Sequence, residues 1–139
     1  MQAGTAARRP IRKVLVANRG ELAARIVRGL RDQGVTSAVI YSDADRAGLP
    51  VLLADEAYRI GPAPSSESYL KAGEIVALAQ RIGADAIHPG YGFLAESADF
   101  AAAVAEAGLI FIGPPASAIA QRGSKIESRR LMSEAGVPV

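Results

Sequence analysis

The sequence predicts an α/β fold, an open parallel sheet covered by helices on both faces. Three observations carry the expectation. Short apolar runs alternate with stretches of helical periodicity along the chain. The runs are apolar at successive positions rather than at every second one, as in parallel strands buried on both sides. The order β-α-β-α-β-α-β suits right-handed crossovers within one sheet.

The elements follow in order. Lys13–Ala17 (KVLVA), Ser37–Tyr41 (SAVIY), Ala84–His88 (ADAIH) and Leu109–Ile112 (LIFI) read as strands, and a further short strand is expected near Ala57–Ile60. After Gly20, Leu22, Ala23, Ile26, Val27 and Leu30 form one helical stripe, which Gly34 ends. Ile75, Leu78, Ala79 and Ile82 form a second, closed by Gly83. Phe100, Ala103, Val104 and Ala107 form a third, closed by Gly108. Ser124-Lys125-Ile126-Glu127 has the capping-box pattern, a serine followed three residues later by a glutamate, and predicts a helix from Lys125 to Ala135. Gly136-Val137-Pro138-Val139 then reads as a helix stop entering an extended segment, so the chain is expected to continue into further domains.

Composition bounds the function. The 139 residues fit a single core, 11–139, behind a disordered basic leader, 1–10; a short presequence is the alternative for that leader. There are no cysteines and one histidine, His88, which exclude disulfides, thiolate sites and multi-histidine metal clusters. The net charge of +2 is uneven: Arg8, Arg9, Arg12 and Lys13 lie in a segment without acids, while residues 14–139 carry 12 basic and 14 acidic side chains. A slightly acidic body argues against nucleic acid as a partner. No apolar run approaches the roughly 20 residues that span a bilayer, so no membrane association is expected.

Ligands of open α/β sheets bind beyond the carboxyl ends of the strands. The first strand runs into Asn18-Arg19-Gly20-Glu21, with one glycine where a dinucleotide pyrophosphate needs G-x-G-x-x-G, so dinucleotide binding is disfavoured. Asn18 and Arg19 either hydrogen-bond a ligand or cap the helix and pair with Glu21 or Asp43. The third strand runs into His88-Pro89-Gly90-Tyr91-Gly92-Phe93-Leu94-Ala95-Glu96. Its two glycines let the backbone approach a ligand around Tyr91 and Gly92, and Glu96 is placed to accept a hydrogen bond. His88 reads as a hydrogen-bonded core residue. Lys125 stands in a first helical turn, where the macrodipole disfavours a cation by roughly 0.3–1 kcal/mol. It either reaches an anion such as phosphate or is a solvated lysine offset by Glu127. Arg25, Arg28 and Asp32 share one helix face, either solvated or a homodimer contact.

Several blocks resemble the biotin carboxylases: Val16-Ala17-Asn18-Arg19-Gly20-Glu21, Tyr41-Ser42-Asp43-Ala44-Asp45-Arg46, Leu53-Ala54-Asp55-Glu56-Ala57, Ile60-Gly61-Pro62-Ala63-Pro64-Ser65, Ser68-Tyr69-Leu70, Ala86-Ile87-His88-Pro89-Gly90-Tyr91-Gly92-Phe93-Leu94, Phe111-Ile112-Gly113-Pro114 and Ala135-Gly136-Val137-Pro138. They occur in the family's order and cover nearly all of residues 11–139. The resemblance implies a Rossmann-like, pre-ATP-grasp domain at the amino end of an ATP-dependent carbon–nitrogen ligase, with the ATP-grasp and carboxy-terminal domains outside this chain. Such enzymes carboxylate N1 of biotin on a carrier domain, using ATP, bicarbonate and Mg2+ (or Mn2+), with bicarbonate activated as carboxyphosphate.

The resemblance also implies roles for single residues. Lys125 matches a lysine that contacts ATP; Tyr91, Gly92 and Glu96 match a loop beside the biotin pocket; Arg25, Arg28 and Asp32 match the homodimer face of bacterial members. No catalytic residue and no metal ligand is expected here, so the chain alone is expected to be inactive. The implied partners are the biotin carboxyl carrier domain, a carboxyltransferase and a second copy of the full enzyme. An acetyl-CoA carboxylase of fatty acid biosynthesis in the cytoplasm is the expected setting, with pyruvate or urea carboxylases, or a non-catalytic module keeping the fold, as alternatives. Two departures stand out: Ala95 and Ser97 replace the commoner serine and asparagine around Glu96, and Arg122-Gly123-Ser124 replaces methionine-glycine-aspartate before Lys125.

Overall fold

The computed structural model describes residues 8–139. Five strands, β1 (Lys13–Val16), β2 (Thr36–Ser42), β3 (Glu56–Gly61), β4 (Ala86–His88) and β5 (Ile110–Phe111), form one wholly parallel sheet in the order β3-β2-β1-β4-β5. Six helices accompany them: α1 (Gly20–Asp32), α2 (Leu49–Leu53), α3 (Ala72–Arg81), α4 (Ala98–Glu106), α5 (Ala116–Arg122) and α6 (Lys125–Glu134).

The two-sided apolar runs have their reason in the packing. Side chains alternate across a strand. Val16 and Val39 therefore meet Ala23 and Val27 of α1 on one face. Leu15, Ala38, Ile40 and Ile87 meet Ile75 and Leu78 of α3 and Phe100 and Val104 of α4 on the other. The buried residues of α1, α3 and α4 fall largely on the expected stripes, and Gly34, Gly83 and Gly108 stand at positive φ beyond their ends. The tentative strand near residues 57–60 is real and forms the sheet edge.

Some expectations need correction. β4 begins at Ala86 rather than Ala84, because the Ala84 amide still bonds the Ala79 carbonyl and the Asp85 carboxylate turns back to the Arg12 and Lys13 amides. β5 keeps two residues of the four expected, although the Ile112 amide still reaches the Ile87 carbonyl at 3.0 Å. Helices α2 and α5 were not expected: each is short, follows or contains proline at its start, and spans too few turns to show a period. The capping box is half formed. Ser124 Oγ accepts from the Glu127 amide at 3.2 Å, but the Glu127 carboxylate accepts from Arg130 instead of turning back.

Of the predicted leader, residues 1–7 lie outside the described residues. At its end the Arg9 guanidinium donates to the Gly108 carbonyl at 2.9 Å, against the loop after α4. Among the described residues, no helix is long and apolar enough to cross a membrane.

Candidate functional site

The strand order reverses between β1 and β4, so the loops after these two strands flank the crevice where such sheets bind ligands. Here a side chain closes that crevice. Asn18, 4% exposed, donates through Nδ2 to the Pro89 carbonyl at 2.8 Å and the Tyr91 carbonyl at 2.9 Å, and its Oδ1 accepts from the Arg19 amide at 2.8 Å. The amide thus staples the turn after β4 to the end of β1, where a dinucleotide fold keeps open backbone for pyrophosphate. The expectation that Asn18 caps the helix is corrected accordingly: the Arg19 cap position of α1 has no side-chain cap bond. The partner lies 71 residues away, and local sequence carries no signal for it.

Arg19 also differs from expectation. It pairs with Asp45, not Glu21 or Asp43, through two bonds of 2.7 and 2.6 Å. Asp43 goes to Arg59 instead. The Asp45 carboxylate further accepts from the Tyr69 hydroxyl at 2.6 Å and from Ser42 Oγ at 3.3 Å. The Arg19 guanidinium, opposed by burial and aided by the Tyr69 and Ser42 bonds, holds the Asp45 pKa down at about 2. Burial first, and then this carboxylate, push the Tyr69 hydroxyl above its ordinary range.

A pKa lowered by folding means stability that is present above the unfolded value, near 4, and lost as pH falls through about 2. Asp45→Asn is therefore expected to cost on the order of 1–2 kcal/mol at pH 7, with the half-exposed arginine screening the rest. The gap to the wild type should close between about pH 4 and 2. Urea denaturation of both proteins across that range checks it.

The turn after β4 is shaped by backbone more than by side chains. His88 Nδ1 accepts from the Gly90 amide at 3.0 Å, and burial lowers its pKa, so the half-buried imidazole is neutral at pH 7 and serves the turn. Gly90 stands at φ +67°, and a Cβ there would lie 2.8 Å from Leu22 Cδ2 and 2.9 Å from Asn18 Nδ2. Gly92 stands at φ +69° with no atom within 4 Å of such a Cβ. Tyr91 between them is 72% exposed.

This turn, the end of β5, α5 and the start of α6 enclose a cleft of about 470 Å3. Tyr91, Gly92, Glu96 and Lys125 all line it, so two segments singled out separately along the sequence, the loop of residues 88–96 and the helix start at Lys125, share one concavity. Arg122 lines it too. It reaches the cleft from the last turn of α5, a helix too short for its sequence to show, so local sequence gives no signal for its place there. Glu96 is the acidic side chain of this lining, set against the cations Arg122 and Lys125. Among the described residues, neither cation forms a salt bridge, whereas Lys13 pairs with Glu56 and Lys71 with Glu74. Ser124 caps α6, so Lys125 occupies its first position as expected. Arg25, Arg28 and Asp32 lie elsewhere, exposed on α1, and among the described residues none of them enters an ion pair.

Residues 10–119 match the family model described as biotin carboxylase, N-terminal domain. Among similar proteins, the mitochondrial methylcrotonoyl-CoA carboxylase subunit alpha of Glycine max is 59% identical over 132 residues, which are 95% of this chain and 18% of that protein. Biotin carboxylase 1 of Bacillus subtilis is 51% identical over 129 residues, 93% of this chain and 29% of that protein. Among solved structures, the biotin carboxylase subunit of pyruvate carboxylase superposes with a TM-score of 0.89 at 50% identity, covering 94% of this chain and 29% of that one. The biotin carboxylase domain of Hydrogenobacter thermophilus 2-oxoglutarate carboxylase, in complex with MgADP, ADP and bicarbonate, gives 0.89 at 46% identity, covering 95% and 29%. The chain thus spans less than a third of the length of these relatives.

Proposed function

The chain belongs to the biotin carboxylase N-terminal domain family, and from that premise we propose that its cleft forms one wall of the active site in a biotin-dependent carboxylase. That enzyme carboxylates carrier-bound biotin with ATP and bicarbonate. One observation carries the reading: Lys125, Tyr91, Gly92 and Glu96 converge on one cleft, whose volume lies within the range of small-molecule sites, roughly 300–1,000 Å3.

The division of labour follows from chemistry. Lys125 at the start of α6, with Arg122 from the last turn of α5 lining the same cleft, offers cationic donors that suit phosphate oxygens. ATP, when bound, supplies the phosphoryl group that activates bicarbonate. The Tyr91–Gly92 backbone is free of overhanging atoms at Gly92 and suits a flat heterocycle such as the biotin ring, with Glu96 as an acceptor beside it. A metal does not fit these residues: among the described residues, no group of three or more histidines, cysteines, aspartates or glutamates is placed to hold one. Mg2+ or Mn2+ is proposed to be held by phosphate oxygens and by side chains of the remaining domains of the enzyme.

The partners proposed are the carrier domain, a carboxyltransferase and a second copy of the enzyme, met through Arg25, Arg28 and Asp32 on α1. The 59% identity favours a methylcrotonoyl-CoA type of acceptor over the acetyl-CoA carboxylase of fatty acid biosynthesis. A cytoplasmic location belongs to the same proposal, and since relatives include mitochondrial proteins, fractionation decides it.

Biotin-dependent ATP cleavage is the test. The full-length enzyme is expected to show it and the 139-residue chain alone to fold without it. Turnover by the chain alone would overturn the assignment of the remaining ligands to other domains.

A further inference from the structure

Among the described residues, Phe93 is the one non-glycine at positive φ, +44°. It directly follows Gly92 in the turn that lines the cleft. A left-handed phenylalanine persists only where its surroundings hold it. Its ring stacks on Tyr69, with centroids 5.7 Å apart and planes 15° from parallel. Tyr69 is itself 1% exposed and pinned at its far end: its hydroxyl donates to Asp45 at 2.6 Å and accepts from the Ser42 amide at 3.0 Å. Asp45 is gripped by Arg19, whose guanidinium also stands 5.9 Å over the Tyr69 ring. Segments following β1, β2 and β3 therefore converge on one aromatic ring, and that ring bears on the turn following β4.

The opposite flank of the turn is held independently, by the Asn18 amide on the Pro89 and Tyr91 carbonyls. Gly92 lies between the two anchors. The Asn18 anchor lies beyond the ladder bonds of β1 and β4, whereas Ser42, whose amide donates to the Tyr69 hydroxyl, is the last residue of β2 and pairs with Gly61.

We propose that Tyr69 is a positioning residue, which fixes the ring of Phe93 and thereby sets the Tyr91–Gly92 wall of the cleft. Its consequence for catalysis rests on the assignment of that wall to biotin. Tyr69 is not among the residues that line the cleft; it acts through Phe93.

The test uses the full-length carboxylase carrying Tyr69→Leu, Tyr69→Phe or Phe93→Gly. Hydrogen exchange of the 90–97 segment reads the turn, and KM values for free biotin and ATP read the site. Tyr69→Leu is expected to speed exchange in that segment roughly tenfold. It should raise the biotin KM on the order of tenfold or more, with the ATP KM unchanged. Tyr69→Phe, which keeps the stack and loses the hydroxyl bonds to Asp45 and Ser42, should fall between the wild type and Tyr69→Leu in both exchange and biotin KM. Phe93→Gly relieves the backbone strain, so it guards against a Tyr69→Leu protein that fails to fold; it should loosen the same segment and raise the same KM, and adding Tyr69→Leu should add little. Unchanged exchange in a folded Tyr69→Leu or Phe93→Gly protein would overturn the positioning role, as would equal rises in both KM values. Faster exchange with an unchanged biotin KM would leave the clamp standing and overturn the assignment of the turn to biotin.

Discussion

In the full-length enzyme, Lys125→Ala is expected to raise the KM for ATP about ten- to a hundredfold without lowering the melting temperature. The size follows from one charge-assisted hydrogen bond to phosphate, about 1.5–3 kcal/mol. The absence of a folding penalty follows from position. Lys125 is exposed, and among the described residues it enters no salt bridge. A cation in the first turn of α6 opposes the helix dipole, so its removal should leave the helix unchanged or firmer by roughly 0.3–1 kcal/mol, and alanine is the better helix former. Function and stability thus move in opposite directions. Steady-state kinetics with thermal melts of the same preparations measure both. An unchanged ATP KM and turnover would remove Lys125 from the site, and a melting temperature falling together with activity would make its role structural.

Gly90→Ala is expected to destabilise the protein by about 2–4 kcal/mol through a steric clash, and Gly92→Ala by about 1–3 kcal/mol through backbone strain alone. Both positions have positive φ, and Gly92, at φ 69° and ψ −171°, lies in a region essentially reserved for glycine, where another residue is strained by about 1–3 kcal/mol. They differ in the space around them. At Gly90 the new methyl would stand under 3 Å from Leu22 and from the Asn18 amide, and that amide cannot retreat without losing its bonds to Pro89 and Tyr91. At Gly92 the methyl would project into open space. The same openness makes Gly92→Ala the more harmful of the two to ligand binding relative to its cost in stability. Urea denaturation measures both costs; a Gly90→Ala cost of about 1 kcal/mol or less would show that Asn18 does not pack against the turn.

The sequence made much of this architecture legible, for identifiable reasons. Strands buried on two faces and helices with one apolar stripe leave strong local patterns, and β1, β2, α1, α3 and α4 were readable from them. Helices α2 and α5 were not, because five and seven residues hold too little period to see. Among the cleft residues, the turn around Tyr91 was visible through Gly90 and Gly92, whereas the cap placed Lys125 at a helix start and left its role to the family resemblance. The pairings were not visible. Arg19 had acids at 21, 43 and 45 within reach of speculation, and only the fold decides that Asp45 receives it while Asp43 turns to Arg59. Asn18 and Tyr69 act across 71 and 24 residues, on partners that local sequence cannot name. Residues 1–7 lie outside the described residues, and the expected leader is described only at its end.

A structure of the full-length enzyme with ADP and biotin bound is the most direct test of the shared cleft. It should show the Lys125 Nζ about 3 Å from a phosphate oxygen and the biotin ring against Tyr91 and Gly92, within the same concavity. Nucleotide and biotin bound together at a surface to which neither Lys125 nor the Tyr91–Gly92 turn contributes would contradict it.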